Sequence, residues 1–158
     1  MSQPESLNAA ERPSRLPLWL HLLTLMLVAL SFCSGAVLLY YELTTEDGLA
    51  KPDWLHGFRV FHGCLYPLQS AMFGYLLCQH IRYGWQLKAN RISGFLMEAC
   101  FAGLILTGIG LYYLDALREI CQQVHSVFGV LLPISLGAHW FAARRWVQAL
   151  PLLTSGAA

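Results

Sequence analysis

The side chains of this chain that could most directly take part in chemistry are histidines in long apolar segments. His125 and His139 are 14 residues apart. A helix would therefore place them within about 40° of one face and about 21 Å apart along its axis. His62 and His80 are 18 residues apart, which is about five full turns and about 27 Å. Each of two helices is thus predicted to carry two histidines on one face.

This arrangement predicts that the four imidazoles are ligands of metal ions held in macrocycles. A planar macrocycle held between helices needs one imidazole above its iron and one below. Two parallel helices would supply an outer pair, His62 and His125, and an inner pair, His80 and His139, for two haems. A single histidine is explained equally well as a hydrogen-bonded interior residue. The set of four favours ligation, because ionisable groups inside a membrane are costly and usually functional.

The composition predicts that the elements carrying these histidines are membrane helices. Of the 158 residues, 56% are hydrophobic and only 12% are charged, about half the charged share of a typical soluble protein. The mean hydropathy is +0.49. A formal net charge of +1 offers no basic face for phosphates, so no nucleic-acid partner is expected.

Four segments are long enough to cross a bilayer, for which about 20 apolar residues suffice. The predicted fold is all-α: an integral-membrane four-helix bundle with up-down-up-down topology. Residues 16–146 form the bundle, residues 1–15 a disordered cytoplasmic tail and residues 147–158 a second cytoplasmic tail. The predicted spans are 16–41, 54–82, 92–114 and 120–143.

The Lys and Arg residues predict the orientation of the spans. Seven of the ten fall at one end of the predicted bundle and three at the other. Because positive residues collect on the cytoplasmic side, both termini are expected in the cytoplasm. The seven are Arg12, Arg15, Arg82, Lys88, Arg91, Arg144 and Arg145.

Arg59 is a candidate for binding a haem propionate. It lies three residues before His62 and hence on nearly the same helix face, where its guanidinium could pair with a carboxylate. Snorkelling of the side chain towards the membrane surface is the alternative explanation. That explanation suffices for the cytoplasmic arginines and accounts less well for Arg59.

Glu98 is the one carboxylate well inside a predicted span, about 10 Å from Arg91 by helical rise. Acids at such depth often relay protons. His21 lies at a similar depth, so the two side chains could accept protons from a quinol. A purely structural pair between His21 and Glu98 is the competing interpretation.

The histidine pattern resembles the membrane di-haem cytochrome b superfamily. It is similar to the cytochrome b subunits of respiratory formate dehydrogenases and nickel–iron hydrogenases, and to small bacterial four-helix cytochrome b proteins. The likeness to the small proteins covers about residues 16–146. Its motifs are His62-Gly63, His80-Ile-Arg-Tyr-Gly-Trp85, Asn90-Arg91-Ile-Ser-Gly94, Thr107-Gly108, and His125 to His139 before Arg144-Arg145.

The resemblance leaves two possible ligands for the inner haem opposite His139. In the formate dehydrogenase type the first span supplies this ligand, which here would be His21. Its depth relative to Arg15 matches that of His139 relative to Arg144. His80, in contrast, shares a face with His62 in a regular helix. We predict His80, with His21 as the alternative.

The expected function is that of a di-haem b-type cytochrome in the inner membrane of a bacterium. The chain lacks the C-x-x-C-H pattern of covalent haem attachment, so b-type haems are expected. As a subunit of a membrane redox complex it would carry electrons between a periplasmic cytochrome or oxidoreductase subunit and membrane quinone, without catalytic residues of its own. The main alternative is a cofactor-free membrane scaffold or assembly subunit, and a proton-linked transporter ranks third.

Overall fold

The computed structural model describes residues 17–45, 52–87 and 91–155, and these residues are helical apart from short connections. The first predicted tail, residues 1–15, lies outside these ranges, as do residues 156–158 of the last one. The helices are α1 (Leu18–Thr44), α2 (Trp54–Leu76), α3 (Arg82–Leu87), α4 (Arg91–Tyr113) and α5 (Arg118–Ser155). A π-helical turn, Leu77–Ile81, joins α2 to α3, and a 3₁₀ turn, Asp115–Leu117, precedes α5.

Three of the helical segments are long and apolar enough to cross a membrane, which is typical of a membrane protein. They are Leu18–Thr44, Arg91–Tyr113 and Asp115–Arg145. The predicted second span, 54–82, is helical but is not among them. The reason is its composition, because α2 contains Arg59 and polar side chains such as His62 and Gln69.

The π-turn was not predicted, and it carries His80. A π-helix closes its hydrogen bonds from residue i to i+5, so one extra residue fits within a turn. The 18-residue spacing from His62 to His80 therefore covers less length than a regular helix would give. This shortening brings the spacing on α2 closer to the 14-residue spacing of His125 and His139 on α5.

Helix α5 is longer than the predicted span, which ended at residue 143. It continues to Ser155. The backbone of the predicted tail at residues 147–155 is therefore helical, although Pro151 lies within it.

Helices α1 and α4 each pack against both α2 and α5. A small apolar core lies among them, formed by Val28, Cys100, Phe101 and Leu132. Phe73 stacks on Phe101, with ring centroids 5.4 Å apart and ring planes 9° from parallel. Leu132 is seven residues from both His125 and His139. The core therefore separates the levels of these two histidines.

Many large apolar side chains face outwards. Ile92 is 89% exposed and Leu106 is 67% exposed. Such side chains are unfavourable against water and favourable against lipid tails, which agrees with a membrane environment.

Candidate functional site

The structure brings His62 of α2 and His125 of α5 together as an outer pair. Their ring centroids are 6.2 Å apart and their planes are inclined by 81°. An imidazole nitrogen binds a metal at about 2.0–2.1 Å, so two imidazoles on opposite sides of one metal have centroids about 6.3 Å apart. The spacing of the outer pair therefore fits a single metal between the rings.

A hydroxyl on α1 fixes the protonation of His62. The Oγ of Ser34 lies 2.8 Å from Nδ1 of His62, and the same hydroxyl donates its hydrogen to the carbonyl of Leu30 at 2.8 Å. With that hydrogen on the carbonyl, the hydroxyl is left to accept from Nδ1 of His62, which requires the tautomer of His62 that has its proton on Nδ1. The other ring nitrogen, Nε2, then keeps the lone pair that a metal needs.

His125 has the matching arrangement on α4. The Oγ1 of Thr107 lies 2.9 Å from Nδ1 of His125 and donates its hydrogen to the carbonyl of Gly103 at 2.6 Å. Both outer imidazoles therefore hold their proton on Nδ1. Second-shell bonds of this kind orient metal-binding histidines in known proteins.

Glycines make room beside these rings. A Cβ atom added at Gly35 would lie 3.1 Å from Cε1 of His62, and one added at Gly108 would lie 3.3 Å from the ring of Tyr66 and 3.9 Å from Cε1 of His125. The residue after Ser34 and the residue after Thr107 are thus both glycines that lie beside an imidazole.

The outer pair lines a cavity of about 720 Å³, which we call the outer cavity. This volume lies within the range of about 300–1,000 Å³ that small-molecule and cofactor sites occupy. Arg59 is among the lining residues, as predicted from its spacing to His62, and Arg118 lines the cavity as well. Two guanidinium groups are therefore available to an anionic ligand.

His80 and His139 form the inner pair, with ring centroids 6.4 Å apart and planes inclined by 88°. The Oγ of Ser93 lies 3.2 Å from Nδ1 of His139, and a Cβ atom at Gly94 would lie 3.7 Å from Cε1 of His139. The cavity at this pair measures only about 50 Å³. Its imidazole spacing matches that of the outer pair, but its free volume does not.

The contacts of His21 and Glu98 differ from the predicted pairing of these two side chains. Nδ1 of His80 is buried without a hydrogen-bond partner, and His21 is close enough to His80 to interact with it electrostatically. Glu98 accepts a hydrogen bond from Nε1 of Trp85 at 3.4 Å. Among the described residues, no hydrogen bond joins His21 to Glu98, so the structure does not bring that predicted pair together.

The donors of each pair are two imidazoles, which could serve as the two axial ligands of a haem. In the described part of the chain, no group of three or more His, Cys, Asp or Glu side chains could hold a metal. Each pair offers two imidazoles, whereas a protein-bound transition metal generally needs four or more ligands. A haem supplies four nitrogens itself and needs only the two axial ligands that each pair offers.

Comparison of the chain with known protein families, curated sequences and solved structures gave no match. The function is therefore inferred from the geometry of the two histidine pairs.

Sequence reasoning missed several residues that line these sites. The hydroxyl partners and Arg118 were not predicted as site residues. A signal for the hydroxyls was present, because a Ser or Thr directly precedes a Gly in each case. The three dipeptides are Ser34-Gly35, Ser93-Gly94 and Thr107-Gly108.

Proposed function

We propose that this chain is a membrane-embedded electron-transfer protein that binds two b-type haems. The observation that carries the proposal is that two imidazoles of α5 each lie opposite another imidazole, one on α2 and one in the π-turn that follows α2. The ring centroids are 6.2 Å apart in the outer pair and 6.4 Å apart in the inner pair, close to the spacing of about 6.3 Å for bis-imidazole ligation.

The outer site has the stronger support. Both of its imidazoles leave Nε2 free, and the outer cavity is large enough for a flat cofactor. The guanidinium groups of Arg59 and Arg118 would pair with the two haem propionates, because arginine forms bidentate bonds with carboxylates. These bonds would hold the cofactor in register with His62 and His125.

The inner site is supported by its imidazole spacing and by the hydroxyl that binds His139. His80 and His139 are the proposed ligands, and His21 remains the alternative to His80. Because the cavity is only about 50 Å³, haem binding requires lining side chains such as Met97 and Trp85 to move outwards.

The proposed topology is a four-helix bundle that crosses the inner membrane of a bacterium four times, with both termini in the cytoplasm. The second crossing combines α2, the π-turn and α3. Its lower hydropathy follows from residues that line the outer cavity and not the lipid, including His62 and Gln69. Polar residues that face the interior of a bundle are compatible with a membrane span.

The haems would supply one-electron redox chemistry, and the chain would hold them at two depths in the membrane. Electrons would pass between a periplasmic redox partner and membrane quinone. Glu98 is a half-buried carboxylate on α4 near the inner pair, so it is the proposed proton acceptor beside a quinone.

The visible spectrum of the purified protein tests this proposal. Expression with ample haem supply should give a coloured preparation with sharp reduced-minus-oxidised α and Soret bands. The haem-to-protein ratio should approach two. A colourless preparation that is fully helical and monodisperse would contradict the proposal.

A cofactor-free membrane scaffold is the second candidate. The observation in its favour is that three of the four paired imidazoles already have a hydrogen-bond partner in the protein. In a scaffold the hydroxyls would simply satisfy buried histidines. The same haem measurement separates the two, because a scaffold would remain folded and colourless.

A further inference from the structure

Three of the four paired imidazoles contact the same kind of dipeptide on a neighbouring helix, a Ser or Thr followed by a Gly. The hydroxyl binds Nδ1 of the imidazole, and a Cβ atom added at the glycine would lie within 4 Å of Cε1 of the same ring. On α4 the two dipeptides, Ser93-Gly94 and Thr107-Gly108, are 14 residues apart, the same spacing as His125 and His139 on α5. The two helices are therefore matched in register at both levels.

The inner histidine of α2 lacks this arrangement. Fourteen residues before Ser34-Gly35, α1 has Leu20-His21, which provides no hydroxyl. Nδ1 of His80 is correspondingly buried without a partner. The outer pair thus has two hydroxyl contacts and the inner pair has one.

We propose that each of these hydroxyls is a positioning group for a haem ligand. It holds its imidazole with the proton on Nδ1 and so sets how strongly Nε2 donates to the iron. This inference rests on the proposed function and adds residues that the histidine pattern alone does not identify. They are Ser34 for His62, Thr107 for His125 and Ser93 for His139.

The direction of the effect follows from the direction of the hydrogen bonds at the outer pair. The hydroxyls of Ser34 and Thr107 donate to backbone carbonyls, so each is left to accept a hydrogen bond from Nδ1 of its imidazole. When the hydroxyl accepts a hydrogen bond from Nδ1–H, the imidazole becomes more basic at Nε2 and a stronger ligand. A stronger axial donor favours oxidised iron and lowers the reduction potential. Removal of a hydroxyl should therefore raise the potential of its own haem.

Thr107→Val provides the sharpest test, because valine keeps the shape of threonine and loses the hydroxyl. Thr107→Ser restores the hydroxyl. Thr24→Val is the matched control, since the hydroxyl of Thr24 donates to the carbonyl of Leu20 at 2.8 Å and binds no imidazole. Haem binding to the apoprotein and the midpoint potentials of both haems would be measured in the full-length protein.

Thr107→Val should weaken haem binding at the outer site about tenfold or more, as loss of a second-shell partner does elsewhere. It should raise the outer potential and leave the inner potential unchanged. Thr107→Ser and Thr24→Val should behave as the wild type. Ser93→Ala should shift only the inner potential. The outer haem is identified as the one that is lost in His125→Ala.

Haem affinity and potentials in Thr107→Val that equal those of the wild type would overturn this inference and leave the proposed function intact. An equal shift in Thr24→Val would also overturn it, because hydroxyl loss would then act through the helix backbone. A wild-type protein without haem would instead overturn the proposed function. If Thr107→Val fails to fold, Ser34→Ala provides the same test at His62.

Discussion

His125 binds Thr107 through Nδ1 and faces His62 across the outer cavity. Replacement by alanine removes one axial ligand of the outer haem. In His125→Ala, haem content should fall to about half of the wild-type value, because the inner pair lies at another level and keeps its ligands. The haem-to-protein ratio and a redox titration measure this change. Full haem content with an unchanged titration would contradict the assignment of His125.

His80 and His21 are rival ligands opposite His139, and single substitutions can separate them. His80→Ala should abolish the low-spin bis-histidine signal of the inner haem in electron paramagnetic resonance, because the iron loses an axial nitrogen. His21→Ala should keep that signal, because His21 is assigned no bond to the iron. The opposite result would assign the inner ligand to α1, as in the formate dehydrogenase type.

The pairing of His62 with His125 and of His80 with His139 could be predicted from sequence, because it depends on residue type and on helical spacing. The contacts of Ser34 and Thr107 could not be predicted as readily. Whether a hydroxyl reaches an imidazole on a neighbouring helix depends on the rotation of both helices, which apolar segments specify poorly. The predicted contact of His21 with Glu98 illustrates this limit. Both side chains lie at similar depth, yet Glu98 binds Trp85 and His21 lies near His80.

At the scale of the elements, Gly103 allows α4 and α5 to approach each other. A Cβ atom added at this position would lie 2.5 Å from the ring of Phe128 on α5. Gly103→Ala should therefore lower the free energy of unfolding by about 1–3 kcal/mol, as overpacking does in other cores. Gly137→Ala is the control, because a Cβ atom there meets nothing within 4 Å.

Thermal or denaturant unfolding, followed by helical signal in a constant detergent, would measure both variants. Gly137→Ala should unfold at or above the wild-type midpoint, because alanine favours a helix over glycine. Equal stability of the two variants would show that Phe128 moves aside without cost.

The helices themselves were predictable, whereas their irregularities were not. Long apolar segments with few charges specified α1, α4 and most of α5. The π-turn at Leu77–Ile81 has no clear signature in residue type, because it arises where tertiary contacts favour one extra residue in a turn. Helix α2 shows the complementary problem. Polar residues that line the outer cavity lower the hydropathy of α2. For this reason α2 is not among the helices that are apolar enough to cross a membrane by composition alone.

At the scale of the whole molecule, the proposed topology places the C-terminus in the cytoplasm. A reporter fused after residue 158 should be active only as a cytoplasmic reporter, because positive residues near the end of α5 favour that side. A reporter inserted in the connection between α1 and α2 should be active only in the periplasm. A periplasmic signal from the C-terminal fusion would remove the parallel alignment of α2 and α5.

The apolar core of Val28, Cys100, Phe101 and Leu132 has a further consequence for energy conversion. It separates the level of His125 from that of His139, so it would lie between the two proposed redox centres. An electron that passes through this core carries charge across part of the membrane dielectric, with no accompanying proton. Transfer across the full membrane changes the free energy by about 2.3 kcal/mol per 100 mV. The membrane potential would therefore oppose or assist electron flow in this protein, according to its direction.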